Sequence, residues 1–320
     1  MTRIAALGIG GTNLHAAVAD ADASLHASIP VRPTEQRDLV SQVLDTIDAL
    51  ETNADGELDA VSMACKGLVD RQQGRITGMN TPDGEMLADI DLGAAIDAEF
   101  GLPWCLENDC AAATLAEYEF GAGNQYNSLV HITMGTGIGA GVIDHGHLIR
   151  GATNQAAEVG AIQVGPADGR TQFGIHGAWE AYCSGPGIAG YVTDQLATEE
   201  RETPLQDVAE VSPQMVFECA AEGDVVARDY LDQLAQFNAR GLAAVAKLFD
   251  PGVITLGGGV ALNNFDVIID GVESYIDEYL FDDAPEFAPT AFGEDIGIYA
   301  AIAAYNYHRS AATETSPIRV

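Results

Sequence analysis

The sequence predicts an α/β chain of two related lobes, on three observations. A strand, a glycine-threonine turn and a second strand occur twice, around Gly10, Gly11 and Thr12 and again around Gly135, Thr136 and Gly137. An apolar run at residues 102–106 leads through Glu107, Asn108 and Asp109 into an alanine-rich helix. Three glycines, Gly257, Gly258 and Gly259, separate a buried-type strand from a helix. The repeat is more specific than either copy, because it gives two lobes a like loop for one ligand.

Composition sets the limits. At 320 residues the chain has room for two domains of ordinary size. With 47% hydrophobic and 19% charged residues it is globular rather than disordered. The charge is lopsided: 48 Asp and Glu against 14 Lys and Arg give −34, and the lysines are Lys66 and Lys247 alone. The acids are spread along the chain rather than gathered in a tail. Such a surface suits a cytoplasm near molar salt, where the screening length falls to about 3 Å and self-repulsion is muted. The expectation is a cytoplasmic protein of a halophile. An acidic surface repels nucleic acid and anionic membranes, so neither is expected as a partner. Nothing at the N-terminus reads as a secretion signal, and no apolar run reaches the roughly 18 residues of a membrane span. The five cysteines include no CxxC pair and read as reduced, buried thiols.

The elements follow in order. Residues 3–9 form an apolar strand, residues 10–13 a tight turn, and residues 14–19 a returning strand. Leu39, Val40, Val43, Leu44, Ile47 and Leu50 line one face of a helix over residues 35–50. Residues 59–64 are a third strand, Asn80, Thr81 and Pro82 a loop, and residues 90–100 a short helix. The second half restarts with a strand at 129–134, the glycine-rich stretch 135–141 and a strand at 142–143. His145 and His147 mark an exposed hairpin tip, without a third ligand for a metal. Long helical stretches fill residues 213–249, a buried strand covers 253–256, and a small-residue helix covers 297–305. The tail from Ser310 is expected to be loose.

Asp109 stands at a helix start, where an acidic side chain can cap free N–H groups. It can equally be a general base at a strand-to-helix turn, with Asn108 as a substrate hydrogen-bonder. The glycine turns are either ordinary hairpins or loops that bring N–H groups and a threonine hydroxyl to a phosphate. The three glycines at 257–259 let a flat ligand lie on the backbone.

The set Gly10-Gly11-Thr12-Asn13, Glu107-Asn108-Asp109, residues 135–141 and Gly257-Gly258-Gly259 resembles the ROK family of sugar kinases. The resemblance runs from about residue 3 to 305. It continues in Ala156-Ala157-Glu158-Val159-Gly160-Ala161 and in a signature over residues 171–185. The glucokinase-like members have a two-lobed, actin-like ATPase (ribonuclease H-like) fold. The resemblance implies lobes at residues 1–115, joined by a C-terminal helix at 297–320, and at 116–296 with a nucleotide platform. It implies Asp109 as the base for a sugar 6-hydroxyl and Asn80, Asn108, Glu158 and Glu180 as ligands of the sugar hydroxyls. Gly10, Gly11, Thr12 and Asn13, with Gly135, Thr136 and Gly137, are the implied phosphate cradles, and Gly257, Gly258 and Gly259 the adenosine platform. ATP and Mg2+ are the implied cofactors, a sugar the partner molecule, and a homodimer the assembly. The chemistry agrees: a hydroxyl nucleophile needs a positioned carboxylate, and phosphoryl transfer otherwise needs alignment and charge neutralisation.

The sequence departs from the family in four places. Gly8 stands where members carry the aspartate that helps place the magnesium and the transferred phosphate. That implies either weakened transfer or a metal held differently, and a Gly8→Asp replacement is expected to raise activity in the first case. The family's zinc ligands correspond to Ala161, Thr171, Phe173 and Ala178, so no zinc is expected, with apolar packing in its place. Ala161 also removes a histidine contact to the sugar, which leaves the hexose open. Lys66 replaces a proline before Gly67, as a plain loop lysine or as a contact for an anionic group. Two functions follow: an ATP-dependent hexose kinase, or a weakly catalytic sugar-binding or sensory protein on the same scaffold. A DNA-binding repressor is not expected, because the phosphate loop begins within ten residues of Met1.

Overall fold

The structure, a computed structural model, describes residues 2–54, 56–81, 83–167 and 169–314; Pro82 and the end of the expected tail, residues 315–320, lie outside the described residues. The chain divides into two compact units. One is Met1–Asn124, Arg150–Ala156 and Ala291–Val320; the other is Gln125–Ile149 and Ala157–Thr290.

The first unit opens with β1 (Ile4–Ile9), β2 (Asn13–Ala19), β3 (Leu25–Ser28), β4 (Arg32–Pro33) and α1 (Leu39–Asn53). It continues with β5 (Ala60–Cys65), β6 (Leu68–Asp70), β7 (Arg75–Asn80), β8 (Met86–Leu87), β9 (Ile90–Asp91), α2 (Leu92–Glu99), β10 (Trp104–Asn108) and α3 (Asp109–Glu119). Its main sheet has the order β10-β5-β1-β2-β3, with β4 also paired to β2. The β1–β2 hairpin is antiparallel, and β5 and β10 join parallel to it. Every residue of β1 is buried. Alternation sends Ala5, Leu7 and Ile9 into a core with Val43, Ile47 and Leu50 of α1 and Ile96 of α2.

Two local expectations need correction. The helix expected over 90–100 begins at Leu92, because the Asp91 carboxylate accepts the Ala94 N–H and caps it there. Asn80 is the last residue of β7, not a loop residue, because its backbone pairs in register with Met86 of β8.

The second unit holds β11 (Leu129–Met134), β12 (Ile138–Asp144), β13 (His147–Leu148), β14 (Thr171–Gln172), β15 (Ile175–His176), α4 (Glu180–Cys183), α5 (Gly185–Leu196) and α6 (Pro213–Glu222). It ends with α7 (Val225–Phe249), β16 (Val253–Gly257), α8 (Gly259–Glu273) and β17 (Glu286–Pro289). The sheet order is β13-β12-β11-β16-β17, again an antiparallel hairpin followed by two parallel strands. The glycine turn is shorter than the sequence suggests, residues 135–137, because Ile138 already pairs with Met134. The helical stretch at 213–249 splits at Gly223, which takes φ +104° and stops α6. Asp224 then caps α7 by accepting the Ala227 N–H.

The core of this unit surrounds Trp179, fully buried, whose indole N–H donates to Asn238 Oδ1 at 2.8 Å. Gly241 of α7 lets the ring approach; a Cβ there would lie 2.4 Å from it. The apolar packing expected in place of a zinc site is not what forms. Ala178 is buried, but Thr171 is exposed and Phe173 is 66% exposed. These residues make the small ribbon β14–β15, whose tip turns on Phe173 and Gly174, both at positive φ, and holds the phenyl ring away from the core.

The chain closes with α9 (Ile296–Glu314), which belongs to the first unit and runs past Ser310, where a loose tail is expected. Ile298 and residues 300–304 are buried. Their alanines bring the helix so close that the Ser62 hydroxyl of β5 donates to the Ala301 carbonyl.

Candidate active site

The candidate residues fall in both units: Gly10, Gly11, Thr12, Asn13, Asn80, Asn108 and Asp109 in the first, the others in the second. In the first unit the β1–β2 turn is tied from behind. Gly10 N–H donates to the Asn13 carbonyl at 2.9 Å. The Thr34 hydroxyl donates to Gly10 O, the Gln36 amide to Gly11 O and the Thr34 N–H to Thr12 O. With its carbonyls held, the turn leaves the N–H groups of Gly11 and Thr12 without an acceptor among the described residues. That is the arrangement that accepts an anion. Thr12 and Asn13 are exposed beside it.

Asn108 and Asp109 join β10 to α3. Asn108 is the N-cap, not Asp109: its Oδ1 accepts the Ala111 N–H at 3.1 Å. Its Nδ2 donates to Gly67 O at 3.1 Å and to Asp109 Oδ1 at 3.0 Å. Asp109, relieved of capping, is the first helical residue, and its Oδ1 also accepts the Cys110 N–H at 3.0 Å. Burial raises the Asp109 carboxyl above its ordinary pKa, opposed by the Cys110 N–H and by the positive charge of Lys66. Asn80 is exposed at the end of β7 and shares no hydrogen bond with Asn108 or Asp109 among the described residues.

Glu107 precedes this pair and is 3% exposed. It faces Arg150 Nη2 at 2.5 Å, His308 Nε2 at 3.2 Å and Arg71 Nη1 at 3.9 Å. Burial pushes its carboxyl up, but His308 and Arg150 outweigh that and hold it below its ordinary value. The sequence gives Glu107 no role, because its partners stand far along the chain.

In the second unit Glu180, the first residue of α4, is 9% exposed and already engaged. Its Oε2 accepts the Ile138 N–H at 2.7 Å and its Oε1 the Gln172 amide at 2.8 Å. A Cβ on Gly137 would lie 2.6 Å from Glu180 Oε2, and one on Gly160 3.3 Å from it. Glu180 therefore fixes the 135–137 turn against the segment that follows Glu158. Glu158 itself is exposed, just before a 3-10 turn at Val159–Ala161. Gln172 and the Ile138 N–H are site groups to which the sequence reading gives no role, although both lie within motifs it quotes, because their contact with Glu180 is tertiary.

The 135–137 turn mirrors the first. Gly135 N–H donates to Gly137 O at 2.9 Å, Gly135 O accepts the Gly185 N–H at 2.7 Å, and Thr136 is exposed. The three glycines differ among themselves. Gly257 is buried against His131 and Thr290, and Gly258 takes φ +81° where a Cβ would meet Met134 O at 2.5 Å. Gly259 opens α8 with clear space around it. The N–H groups of this first turn attract negative charge. Met134 and Val260, on either side of these loops, also line a small, mostly apolar cavity with Phe217, Val267 and Ile268. Among the described residues, no cluster of three or more His, Cys, Asp or Glu could hold a metal ion.

Two sheets of one topology, each with a glycine turn at its hairpin, define the two-lobed, actin-like class of α/β proteins. Residues 4–303 match the ROK family, and the chain belongs to it. It is 32% identical over 279 residues to the glucokinase of Streptomyces coelicolor, which covers 85% of this chain and 86% of that one. A ROK hexokinase from Thermus thermophilus superposes with a TM-score of 0.80 at 28% identity, over 97% of this chain and 100% of that one. A ROK family glucokinase from Streptomyces griseus, solved in complex with glucose and AMPPNP, gives 0.76 at 28% identity, over 94% and 98%.

Proposed function

We propose that this chain is an ATP-dependent hexose kinase, acting on the 6-hydroxyl of glucose or a close relative with Asp109 as general base. The observation that carries the reading is the setting of Asp109. The Asn108 amide and the Cys110 N–H both bond to Oδ1, which orients the carboxylate at the start of α3 to accept a substrate hydroxyl. Its raised pKa makes it a better proton acceptor than an exposed aspartate. The hydroxyl proton passes to the Asp109 carboxylate, the oxygen bonds to the γ-phosphorus, the bond to the β,γ-bridging oxygen breaks, and ADP leaves with the electron pair. Asn80, Asn108, Glu158 and Glu180 serve the remaining sugar hydroxyls, since unpaired hydroxyls in a closed site are costly. Residues 10–13 and 135–137 receive phosphates, and the adenosine lies by Gly258, Gly259 and the cavity beside them. Names of relatives support the same chemistry, glucokinase and hexokinase among them.

Mg2+ enters on the nucleotide, as part of the substrate. A protein carboxylate for it does not fit at position 8, where a Cβ would lie 2.5 Å from Gly297 Cα. No zinc is expected, because Ala161, Thr171, Phe173 and Ala178 offer no thiolate or imidazole. The acidic surface supports a cytoplasmic protein of a halophile, and no helix among the described residues is long and apolar enough to cross a membrane. A homodimer is the assembly to test, by light scattering.

One observation favours a second reading, a sugar-binding or sensory protein with little turnover: Gly8 has no carboxylate. One assay separates the two. The protein is incubated in molar KCl with Mg·ATP and a panel of hexoses, and ADP release is followed. The kinase reading expects turnover on at least one hexose; hexose binding without ADP release on any of them overturns it.

A further inference from the structure

Lys66 follows β5, and its N–H donates to the Ile9 carbonyl at 2.9 Å, which fixes it beside the β1–β2 turn. Its side chain lies along Gly11: a Cβ built there would be 2.8 Å from Nζ and 3.0 Å from Cδ. The ammonium has no hydrogen bond or salt bridge among the described residues, in a chain with 48 acidic residues. Yet its charge reaches Asp109. Three donors therefore meet at one place: the Lys66 ammonium and the open N–H groups of Gly11 and Thr12. Two N–H groups of a turn with a cation over them form an anion cradle. Position 8 cannot add a carboxylate to this cradle, because Gly297 occupies the space. The positive charge beside the turn is thus that of Lys66, with no carboxylate at position 8.

We propose that Lys66, with the Gly11 and Thr12 N–H groups, binds the terminal phosphate of the nucleotide and neutralises the phosphoryl group as it transfers. Its charge also keeps Asp109 ionised for the attack. Lys66 thereby supplies, from the protein, charge that a carboxylate-held cation at position 8 would otherwise supply. The proposal rests on the kinase reading and names the group that makes it work without an acid at position 8.

The test compares Lys66→Met and Lys66→Arg in the full chain, with thermal unfolding as the control for folding. Calorimetry measures AMPPNP, ADP and the hexose separately. Lys66→Met is expected to weaken AMPPNP about tenfold or more while sparing ADP and hexose, because only AMPPNP carries the terminal phosphate. Its kcat should fall about a hundredfold, with partial recovery in Lys66→Arg. The acid limb of its kcat/KM profile should move to higher pH, because Asp109 loses the charge that held its pKa down. Gly11→Ala, which displaces the ammonium through its Cβ, should copy the AMPPNP loss, and it serves if Lys66→Met does not fold. Equal losses for AMPPNP and ADP, no loss for either, or a loss confined to the hexose overturns the proposal. If the parent protein turns over no hexose, the kinase reading fails, and the AMPPNP-to-ADP comparison still decides the phosphate contact.

Discussion

Gly8 of β1 and Gly297 of α9 meet backbone to backbone: a Cβ on Gly8 would fall 2.5 Å from Gly297 Cα, and one on Gly297 3.0 Å from Gly8 Cα. The even residues of β1 lie opposite the face that packs with α1, and the first half of α9 is held down by buried Ala300, Ala301, Ala303 and Ala304. A side chain at position 8 must therefore move α9 or itself. The sequence suggests that Gly8→Asp would repair a weak phosphate site. The packing predicts the opposite: a loss of more than about 3 kcal/mol, from overpacking and an unpaired buried carboxylate. Denaturant unfolding checks it, alongside turnover, which should fall. A stable Gly8→Asp protein with raised activity would show that α9 yields easily and that the acid was the missing part.

Asp109→Asn should lower kcat by about a thousandfold, within the range that a lost general base costs. The fold should survive, because Asn108 and not Asp109 caps α3. The pH sign follows from the raised pKa. The base works only when ionised, so kcat/KM falls as the pH drops through a value above that of an ordinary aspartate. For stability the sign is reversed. A carboxyl whose folded pKa is raised favours the folded state at low pH and gives that up as the pH rises through the folded value. Asp109→Asn cannot ionise, so at neutral pH it should unfold at a temperature equal to or above the parent's. A large loss of melting temperature would mean that Asp109 is structural.

Much of this was legible because it is local. Hairpins, the alanine-rich helix and the repeated glycine turns are patterns within a dozen residues, and the two sheets of like topology follow from them. Residue roles that depend on distant partners were not. Glu180 reads as a sugar ligand in its motif, but no local pattern shows that it also accepts the Ile138 N–H and the Gln172 amide. Glu107 reads as part of a strand, yet it gathers Arg71, Arg150 and His308. Phe173 reads as core because it is apolar, yet a positive φ at a ribbon tip keeps it out. Only tertiary packing decides such cases. Asn108 and Asp109 lay between: the cap was foreseeable, but which of two adjacent Asx residues holds it depends on Gly67 O lying within reach of the Asn108 amide.

The net charge of −34 carries its own prediction. Surplus carboxylates repel one another at a range set by screening, about 10 Å in 0.1 M salt and about 3 Å at 1 M. Compaction concentrates that repulsion, so the folded state should gain stability as KCl rises. The melting temperature should climb steadily between those concentrations, with NaCl acting alike. A flat or falling curve would show that the acids are not in surplus where it matters, and would remove the support for a high-salt cytoplasm.

Glu107→Gln tests the buried ion cluster behind Asp109. The carboxylate is 3% exposed and faces Arg150, His308 and Arg71, while the Arg150 guanidinium also lies 5.1 Å from the centre of the Tyr307 ring. Removing one partner of a buried pair leaves the other charges without compensation, so the loss should be about 3 kcal/mol at pH 7. The folded pKa of Glu107 is depressed. Its contribution is thus fully present above the unfolded value and is lost as the pH falls through the folded one. Unfolding of parent and variant in denaturant, repeated from pH 7 down to below about 4, should show their difference narrowing at the acid end. Because β10 carries Glu107 and Asn108 and leads directly into Asp109 of α3, the same variant should loosen the base and lower kcat more than it changes the KM for hexose. A variant as stable as the parent, with an unchanged kcat, would mean that the cluster is indifferent to its central charge.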